Sequence, residues 1–254
     1  MPGDFDFGLA GRVVLVTGGV RGVGAGISAV FAAQSATVIT CARRPVTSLP
    51  YEFHICDVRD PDAVGSLIET IVERHGRLDV AVNNAGGSPY ARASDASPRF
   101  HQKVIELNLL GMLHVSQAAN SVMQQQSRGG AIVSISSVSG RRPSPGTAAY
   151  GAAKAGVDSL TATLAVEWAP KVRVNAVVAG MVTTEQTELF YGDPQSQAAV
   201  AATIPLGRFA EPAEIGSATA FLASDAASYI SGATLAVHGG GEPPPYLSAS
   251  NANN

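Results

Sequence analysis

Short runs of β-branched and apolar residues alternate with longer stretches of helical periodicity along almost the whole chain, and few folds accommodate that pattern. The runs RVVLVT (12–17), TVITC (37–41), EFHIC (52–56), LDVAVN (78–83), AIVSIS (131–136), VRVNAVV (172–178) and TLAVH (234–238) read as strands. Between most of them apolar residues recur at helical spacing, as in Pro61–His75, Pro98–Gln125, Ala149–Trp168 and Pro212–Ser224. Strand, helix, strand, repeated, implies right-handed crossovers and a mostly parallel sheet covered on both faces. No composition break marks a linker before residue 241. The pattern predicts one α/β, doubly wound domain over 1–241 with about seven parallel strands flanked by helices, and a Pro/Ser/Asn-rich tail at 242–254.

Three places depart from the alternation. After the second strand the chain reads ARRPVTSLPY, where Pro45 and Pro50 leave little room for a helix, so the usual crossover helix should be shortened or lost. Residues 183–206 (TTEQTELFYGDPQSQAAVAATIPL) form a long excursion of the kind that serves as a lid or binding loop. The tail GGGEPPPYLSASNANN reads as a solvated terminus, or alternatively as an arm against a neighbouring subunit.

Composition excludes several classes of function. Charged residues make up 15 % of the 254 and the formal net charge is −3, which gives no basis for binding a polyanion; no nucleic-acid partner is expected. No apolar run reaches the length of a membrane span. MPGDFDFGLAGR lacks a basic segment followed by an apolar one, so no secretory signal is expected and the cytoplasm is the simplest compartment. Cys41 and Cys56, the only cysteines, fall at strand ends and read as reduced thiols. The five histidines are scattered, so no metal site is expected.

VVLVTGGVRGVGAG places Gly18, Gly22 and Gly24 directly after the first strand and before the apolar-periodic run Ile27–Ala33. Glycines there allow a tight turn and let the backbone approach a pyrophosphate seated on the next helix's N-terminus, as in a Rossmann-type domain. Three residues, not one, separate the first two glycines. Further along, Tyr150 and Lys154 stand four apart at the start of a predicted helix and so share a face. The pair reads either as a surface contact or as a general acid/base whose phenol is pulled down by the cation. Lowering a phenol from about 10 to about 7 requires roughly 4 kcal/mol of phenolate stabilisation. Ser136 and Ser137 close the fifth strand, at the sheet edge where ligands bind in this architecture. Asn108 lies inside the apolar helix VIELNLLGML, a position that disfavours asparagine.

With these residues in hand, the sequence resembles the short-chain dehydrogenase/reductase family, in its common branch of about 250 residues. The resemblance runs through TGGVRGVG (17–24), CDV (56–58), NNAG (83–86), LNLLG around Asn108, ISS (135–137), YGAAK (150–154), VRVNAV (172–177) and PLGRFAEPAEIG onward (205–237). Its C-terminal part is similar to 3-oxoacyl-carrier-protein reductases. The resemblance implies a catalytic set of Asn108, Ser137, Tyr150 and Lys154, with Ser137 preferred to Ser136 by its spacing from Tyr150. Tyr150 would exchange a proton with the substrate oxygen as hydride moves, Ser137 would hold that oxygen, and Lys154 would depress the phenol and bond the nicotinamide ribose. Asn108 would fix a water in a proton relay. Val23 belongs to the glycine loop; Asn83 or Asn84, Ala85 and Gly86 would line the adenine-ribose side, and Asp57 and Val58 would flank the adenine. Gly180, Val182 and Thr184 would face the nicotinamide. Ala179 and His238 stand where the family usually has proline and aspartate.

Ala42 sits where an acid would accept the ribose diol of NAD, and Arg43 follows it. A guanidinium there, with Arg21 as a second cation, suits a 2′-phosphate, so NADP(H) is favoured over NAD(H). Solvated loop charge is the alternative for either arginine. The expected function is therefore an NADP(H)-dependent oxidoreductase interconverting a ketone and a secondary alcohol, acting on a small molecule as a homotetramer or homodimer. The alternatives are an NAD(H)-dependent dehydrogenase of the same family acting on a steroid, sugar or hydroxyacyl compound, and a non-catalytic dinucleotide-sensing regulator. Substrate walls are expected from 87–90, 139–147 and 183–206, where Arg141 and Arg142 could meet an anionic substrate.

Overall fold

The computed structural model describes residues 7–249, so the first residues of the N-terminal segment and the last five of the tail lie outside the described residues. Seven strands form one all-parallel sheet: β1 (Val13–Thr17), β2 (Thr37–Ala42), β3 (Glu52–Ile55), β4 (Val80–Asn83), β5 (Gly130–Ser137), β6 (Val172–Ala179) and β7 (Thr234–Val237). Their order across the sheet is β3-β2-β1-β4-β5-β6-β7. The chain thus builds outward from β1 in one direction and, from β4 on, in the other.

Both faces are buried, which explains why the strands read as continuous apolar runs. Val13 and Leu15 point into one core with Val64, Leu67 and Ile71 of α2 (Pro61–His75; α1 is Gly22–Ala33). Val14 and Val16 point into the other, with Ile27 and Phe31 of α1. The first core also holds Val115 and Ala119, and the second Ile215 and Leu222, from helices described below. Local signals set the ends of α2: Asp60 caps it through bonds from the backbone N–H groups of Asp62 (3.0 Å) and Ala63 (3.1 Å), Pro61 opens it, and Gly76 ends it in the left-handed region.

No helix joins β2 to β3; residues 43–51 are irregular, as the two prolines require. Edge strand β3 is instead held by Glu52, whose carboxylate meets His54 at 2.8 Å and His75, at the end of α2, at 2.9 Å. The predicted helix over 98–125 is divided. α3 (Pro98–Ile105) runs into a π-helical turn at Glu106–Leu110 and continues as α4 (Gly111–Met123). Next come α5 (Ala148–Glu167), then two short helices inside the long excursion, α6 (Thr187–Tyr191) and α7 (Pro194–Ala201), then α8 (Pro212–Ala223) and α9 (Pro245–Ala249). The tail is not simply solvated at its start, because Glu242 pairs with Arg142 at 2.7 Å. Among the described residues no helix is long and apolar enough to cross a membrane.

Helices α1 and α8 cross closely on one face, and Gly26 is the reason they can. A β-carbon at Gly26 would lie 2.4 Å from Pro212 Cβ and 2.8 Å from the Pro212 carbonyl oxygen. Gly65 in α2 faces open space, with nothing within 4 Å. Gly26→Ala is therefore expected to destabilise by about 1–3 kcal/mol although alanine is the better helix former. Gly65→Ala should stabilise by up to about 1 kcal/mol. Thermal denaturation of both variants checks the contrast; Gly26→Ala melting at or above the parent would show that the helices readily part.

Candidate active site

A cleft of about 630 Å³ opens at the carboxyl edge of the sheet, where the direction of chain progression reverses between β1 and β4. Its lower lip is the loop after β1. Thr17, the last residue of that strand, donates its hydroxyl to Val82 O (3.2 Å) and accepts from the N–H groups of Asn84 (3.0 Å) and Ala85 (3.1 Å). Asn84 Nδ2 returns bonds to Thr17 O (2.9 Å) and Gly18 O (3.1 Å), so the two loops form one unit. Gly24 is required here: a β-carbon would fall 2.2 Å from Gly18 O.

Gly18, Arg21, Gly22, Val23 and Gly24 line one side of the cleft, with Ala42, Arg43 and Val58 at its far end. Asn84, Ala85 and Gly86 form the floor; Ala179, Gly180, Val182 and Thr184 come from the end of β6 and the loop after it. Arg21 and Arg43 are exposed, and neither makes an ion pair among the described residues. Two of the residues expected here do not face the cleft. Asn83 is buried behind it and donates to Ser116 Oγ (2.8 Å) and Ser134 Oγ (3.2 Å); the strand's alternation turns it inward and leaves Asn84 at the cleft. Asp57 lies outside the cleft lining and is bound by Arg59, whose guanidinium holds it below the usual carboxylate range, with a smaller pull from Arg43. Cys41 and Cys56 are free thiols bordering this end; their mutual hydrogen bond and burial push Cys41 well up.

At the other end Ser137, Tyr150 and Lys154 converge. Ser137 closes β5 and hydrogen-bonds Tyr150, whereas Ser136 is turned away to donate to Lys154 O at 3.2 Å. Tyr150 and Lys154 are one turn apart in α5, with the ammonium 5.5 Å from the ring centre. Lys154 is 5 % exposed and donates to Ile135 O at 2.6 Å. Burial lowers it to about 8 against the opposing pull of Asp158. The phenol departs from expectation. Burial pushes Tyr150 up, the Ser137 bond pulls down without cancelling it, and Tyr191 adds to the rise. The lysine is not what governs this tyrosine, because its charge is turned toward the β5 carbonyl.

Asn108 sits in the π turn, 1 % exposed and off the cleft surface. Its Nδ2 donates to Val104 O (2.9 Å) and Gly87 O (3.0 Å), and its Oδ1 accepts from Gly87 N (2.8 Å). The wider turn gives the side chain room to bond back to its own helix while it clamps the loop after β4. Both amide protons are committed, so this side chain holds no water by donation.

The mouth beside Tyr150 is formed by Ser139, Arg142, Ser144, Thr147, Phe190 and Tyr191. Tyr191 stacks on Phe209 with ring centres 5.0 Å apart. Arg141 is turned outward to Asp158 (3.0 Å), while Arg142 remains at the cleft with Glu242 and a buried Nε that lacks a partner among the described residues. His238 does not line the cleft; it borders a separate hollow of about 280 Å³ with Ile204 and Arg208. Sequence reasoning missed the Ile135 carbonyl under Lys154 and an acid, Glu185, whose carboxylate accepts from Gly22 N at 3.2 Å. Neither has a local signal, since each contact is created by the tertiary fold. Among the described residues no cluster of three or more His, Cys, Asp or Glu is placed to hold a metal.

The chain resembles characterised proteins over nearly its whole length. A family model described as enoyl-(acyl carrier protein) reductase matches residues 18–242. The 3-oxoacyl-[acyl-carrier-protein] reductase FabG of Thermotoga maritima is 36 % identical, covering 91 % of this chain and 98 % of that protein. The D-threitol dehydrogenase of Mycolicibacterium smegmatis is 35 % identical, covering 93 % and 95 %. Among solved structures, the ligand-free aldohexose dehydrogenase of Thermoplasma acidophilum superposes with a TM-score of 0.88 at 33 % identity, covering 98 % of each chain. These matches, the seven-stranded parallel sheet and the Ser-Tyr-Lys convergence at its carboxyl edge place the chain in the short-chain dehydrogenase/reductase family of oxidoreductases.

Proposed function

We propose that this protein is an NADP(H)-dependent oxidoreductase that interconverts a ketone and a secondary alcohol on a small-molecule substrate. The observation that carries the reading is one continuous cleft with two ends. Arg21 and Arg43 flank a glycine loop at one, and Ser137, Tyr150 and Lys154 meet at the other. The bound dinucleotide would supply or accept the hydride. Gly18, Gly22, Val23 and Gly24 suit its pyrophosphate, because they line the cleft at the start of α1, and the absence of a β-carbon at Gly24 lets the loop close on Gly18 O. Val58, Ala85 and Gly86 suit the adenosine half; Gly180, Val182 and Thr184 suit the nicotinamide half. Arg43, next to uncharged Ala42, suits a 2′-phosphate.

In the reductive direction Ser137 bonds the carbonyl oxygen and Tyr150 gives it a proton. A raised phenol is protonated at neutral pH, which is the state a general acid needs. In the oxidative direction Tyr150 would take the proton as phenolate, held by Ser137, and an oxidised dinucleotide bound beside it would add positive charge. Lys154 stands one turn from the phenol and can pass a proton onward; Asn108 fixes Gly87, next to Gly86, whose β-carbon position would lie 3.6 Å from the Lys154 ammonium. Assembly as a homotetramer or homodimer accompanies this reading. A second reading is the NAD(H)-dependent dehydrogenase of the same family, and its sugar-type substrate is favoured by the likeness to D-threitol and aldohexose dehydrogenases.

NADPH and NADH oxidation over a panel of ketones, ketoacyl thioesters and sugars tests the activity. Tyr150→Phe is expected to lower kcat/KM by roughly 10²–10⁴-fold; unaltered turnover in that variant would sink the mechanism. Arg43→Asp is expected to reverse the preference toward NADH, and equal NADPH affinity in parent and variant, read by nucleotide titration, would remove Arg43 from the phosphate site.

Placing Lys154 in the site also has a stability consequence. Folded, it titrates near about 8; unfolded, near about 10.4. Between those values the unfolded chain binds more protons, so stability rises with pH, and below pH 8 the full penalty of roughly 3 kcal/mol applies. Lys154→Met should therefore abolish activity yet melt higher than the parent at pH 7, with the gain shrinking toward pH 10. A variant that melts lower at pH 7 would show that the Ile135 bond outweighs the buried charge.

A further inference from the structure

We propose that Glu185 is an internal competitor for the phosphate-binding loop and thereby sets how tightly the protein holds its dinucleotide. The inference rests on the dinucleotide reading above but concerns a residue that reading does not use. Helix α1 begins at Gly22, and its preceding residue, Arg21, makes no side-chain cap; no acid lies in the first turn. The N–H groups at such a helix start carry partial positive charge and seek an anion. Here the anion comes from 163 residues away: Glu185 Oε1 accepts from Gly22 N at 3.2 Å, and Oε2 lies 3.6 Å from where a Gly22 β-carbon would be. Glu185 and Gly22 both line the cleft, so the carboxylate lies on the donor that a pyrophosphate would need.

The placement is not required for folding. Glu185 is exposed, and Gly22 N is its one hydrogen-bond partner among the described residues. Its position is set by a turn that is complete without it. Thr184 N donates to Thr187 Oγ1 (2.7 Å), Thr187 Oγ1 donates to Thr184 O (2.8 Å), and Gln186 N donates to Thr184 Oγ1 (3.2 Å). The turn is anchored behind by Thr183 N on Ala210 O at 2.9 Å. A self-contained turn thus delivers a full negative charge to an anion site, and a carboxylate and a phosphate cannot share that N–H without strong repulsion. Dinucleotide binding must move Glu185 aside. The turn itself keeps its own bonds and leads directly into Phe190 and Tyr191 at the other end of the cleft.

The competition concerns the pyrophosphate, which NADPH and NADH have in common, and this separates it from any effect of Arg43. Titration calorimetry of the full chain with each nucleotide at low ionic strength tests it, comparing the parent with Glu185→Gln, Glu185→Ala and, as a control acid on the same segment, Glu188→Gln. Both Glu185 variants are expected to bind NADPH and NADH about three- to tenfold more tightly, by the same factor for each, with the gain falling as salt is raised. Glu188→Gln should stay within about twofold of the parent. Unchanged or weaker binding in the Glu185 variants would overturn the proposal, as would equal tightening by Glu188→Gln. If the parent binds neither nucleotide, the dinucleotide reading itself falls, and this one with it.

Discussion

The hydroxyl of Thr17 joins the exits of the two central strands, and the geometry of the cleft depends on it. Buried at 1 % exposure, it bonds one carbonyl and two N–H groups of the β4 exit, and Asn84 closes the circuit by bonding back to the Thr17 and Gly18 carbonyls. A parallel sheet offers no hairpins to hold neighbouring strand ends together. Side-chain bonds must therefore do it at the carboxyl edge, where ladder partners run out. Asn108 extends the same lock to Gly87. The floor of the cleft is one hydrogen-bonded plate that joins residues 17–18 to residues 82–87, whereas the walls at 139–147 and 184–191 are turns bonded mainly within themselves.

The order of the strands explains why the site lies where it does. β1 to β3 build one way and β4 to β7 the other, so the chain leaves the joined ends of β1 and β4 toward helices on opposite faces, and the cleft opens above that junction. The glycine loop lies at that junction. Ser137 reaches it from β5 and the Tyr150–Lys154 turn from α5, both on the β4 side. The layout places Arg21 and Arg43 at one end of a single groove and Ser137, Tyr150 and Lys154 at the other.

What could be read from the sequence follows the range of the interactions. Strand positions were legible to within one or two residues because the central strands are buried on both faces and read as apolar runs, while the half-exposed edge strands β3 and β7 are short β-rich runs bounded by turn residues. The missing crossover helix was legible because proline acts locally. Tyr150 and Lys154 were legible because helical spacing alone puts them on one face. The π turn at Asn108 was not: Glu106–Leu110 has the composition of an ordinary helix, and the widening depends on Gly87, brought there by β4. The raised phenol was missed for the same reason. Four-residue spacing predicts that the ammonium is near the ring, but its charge is directed by the Ile135 carbonyl of another element. Asn83 and Asn84 could be separated only by the pleat, since adjacent strand residues face opposite ways.

Lys154 unites the structural and chemical demands of the site. Strand β5 grips it twice: the Ile135 carbonyl takes its ammonium, and Ser136 Oγ donates to its backbone carbonyl. These two bonds fix the rotation and height of α5 against β5. Tyr150 lies one turn earlier on the same face and is thereby brought to Ser137, the residue that follows Ser136. Ser137 and Tyr150 are thus aligned by the lysine's contacts to the sheet more than by any property of the tyrosine. Burying an ammonium for this purpose is unfavourable in itself, and a neutral residue would satisfy the core better. Under the proposed function, retention of the charge at that depth makes sense as a proton-carrying group within one helical turn of the phenol.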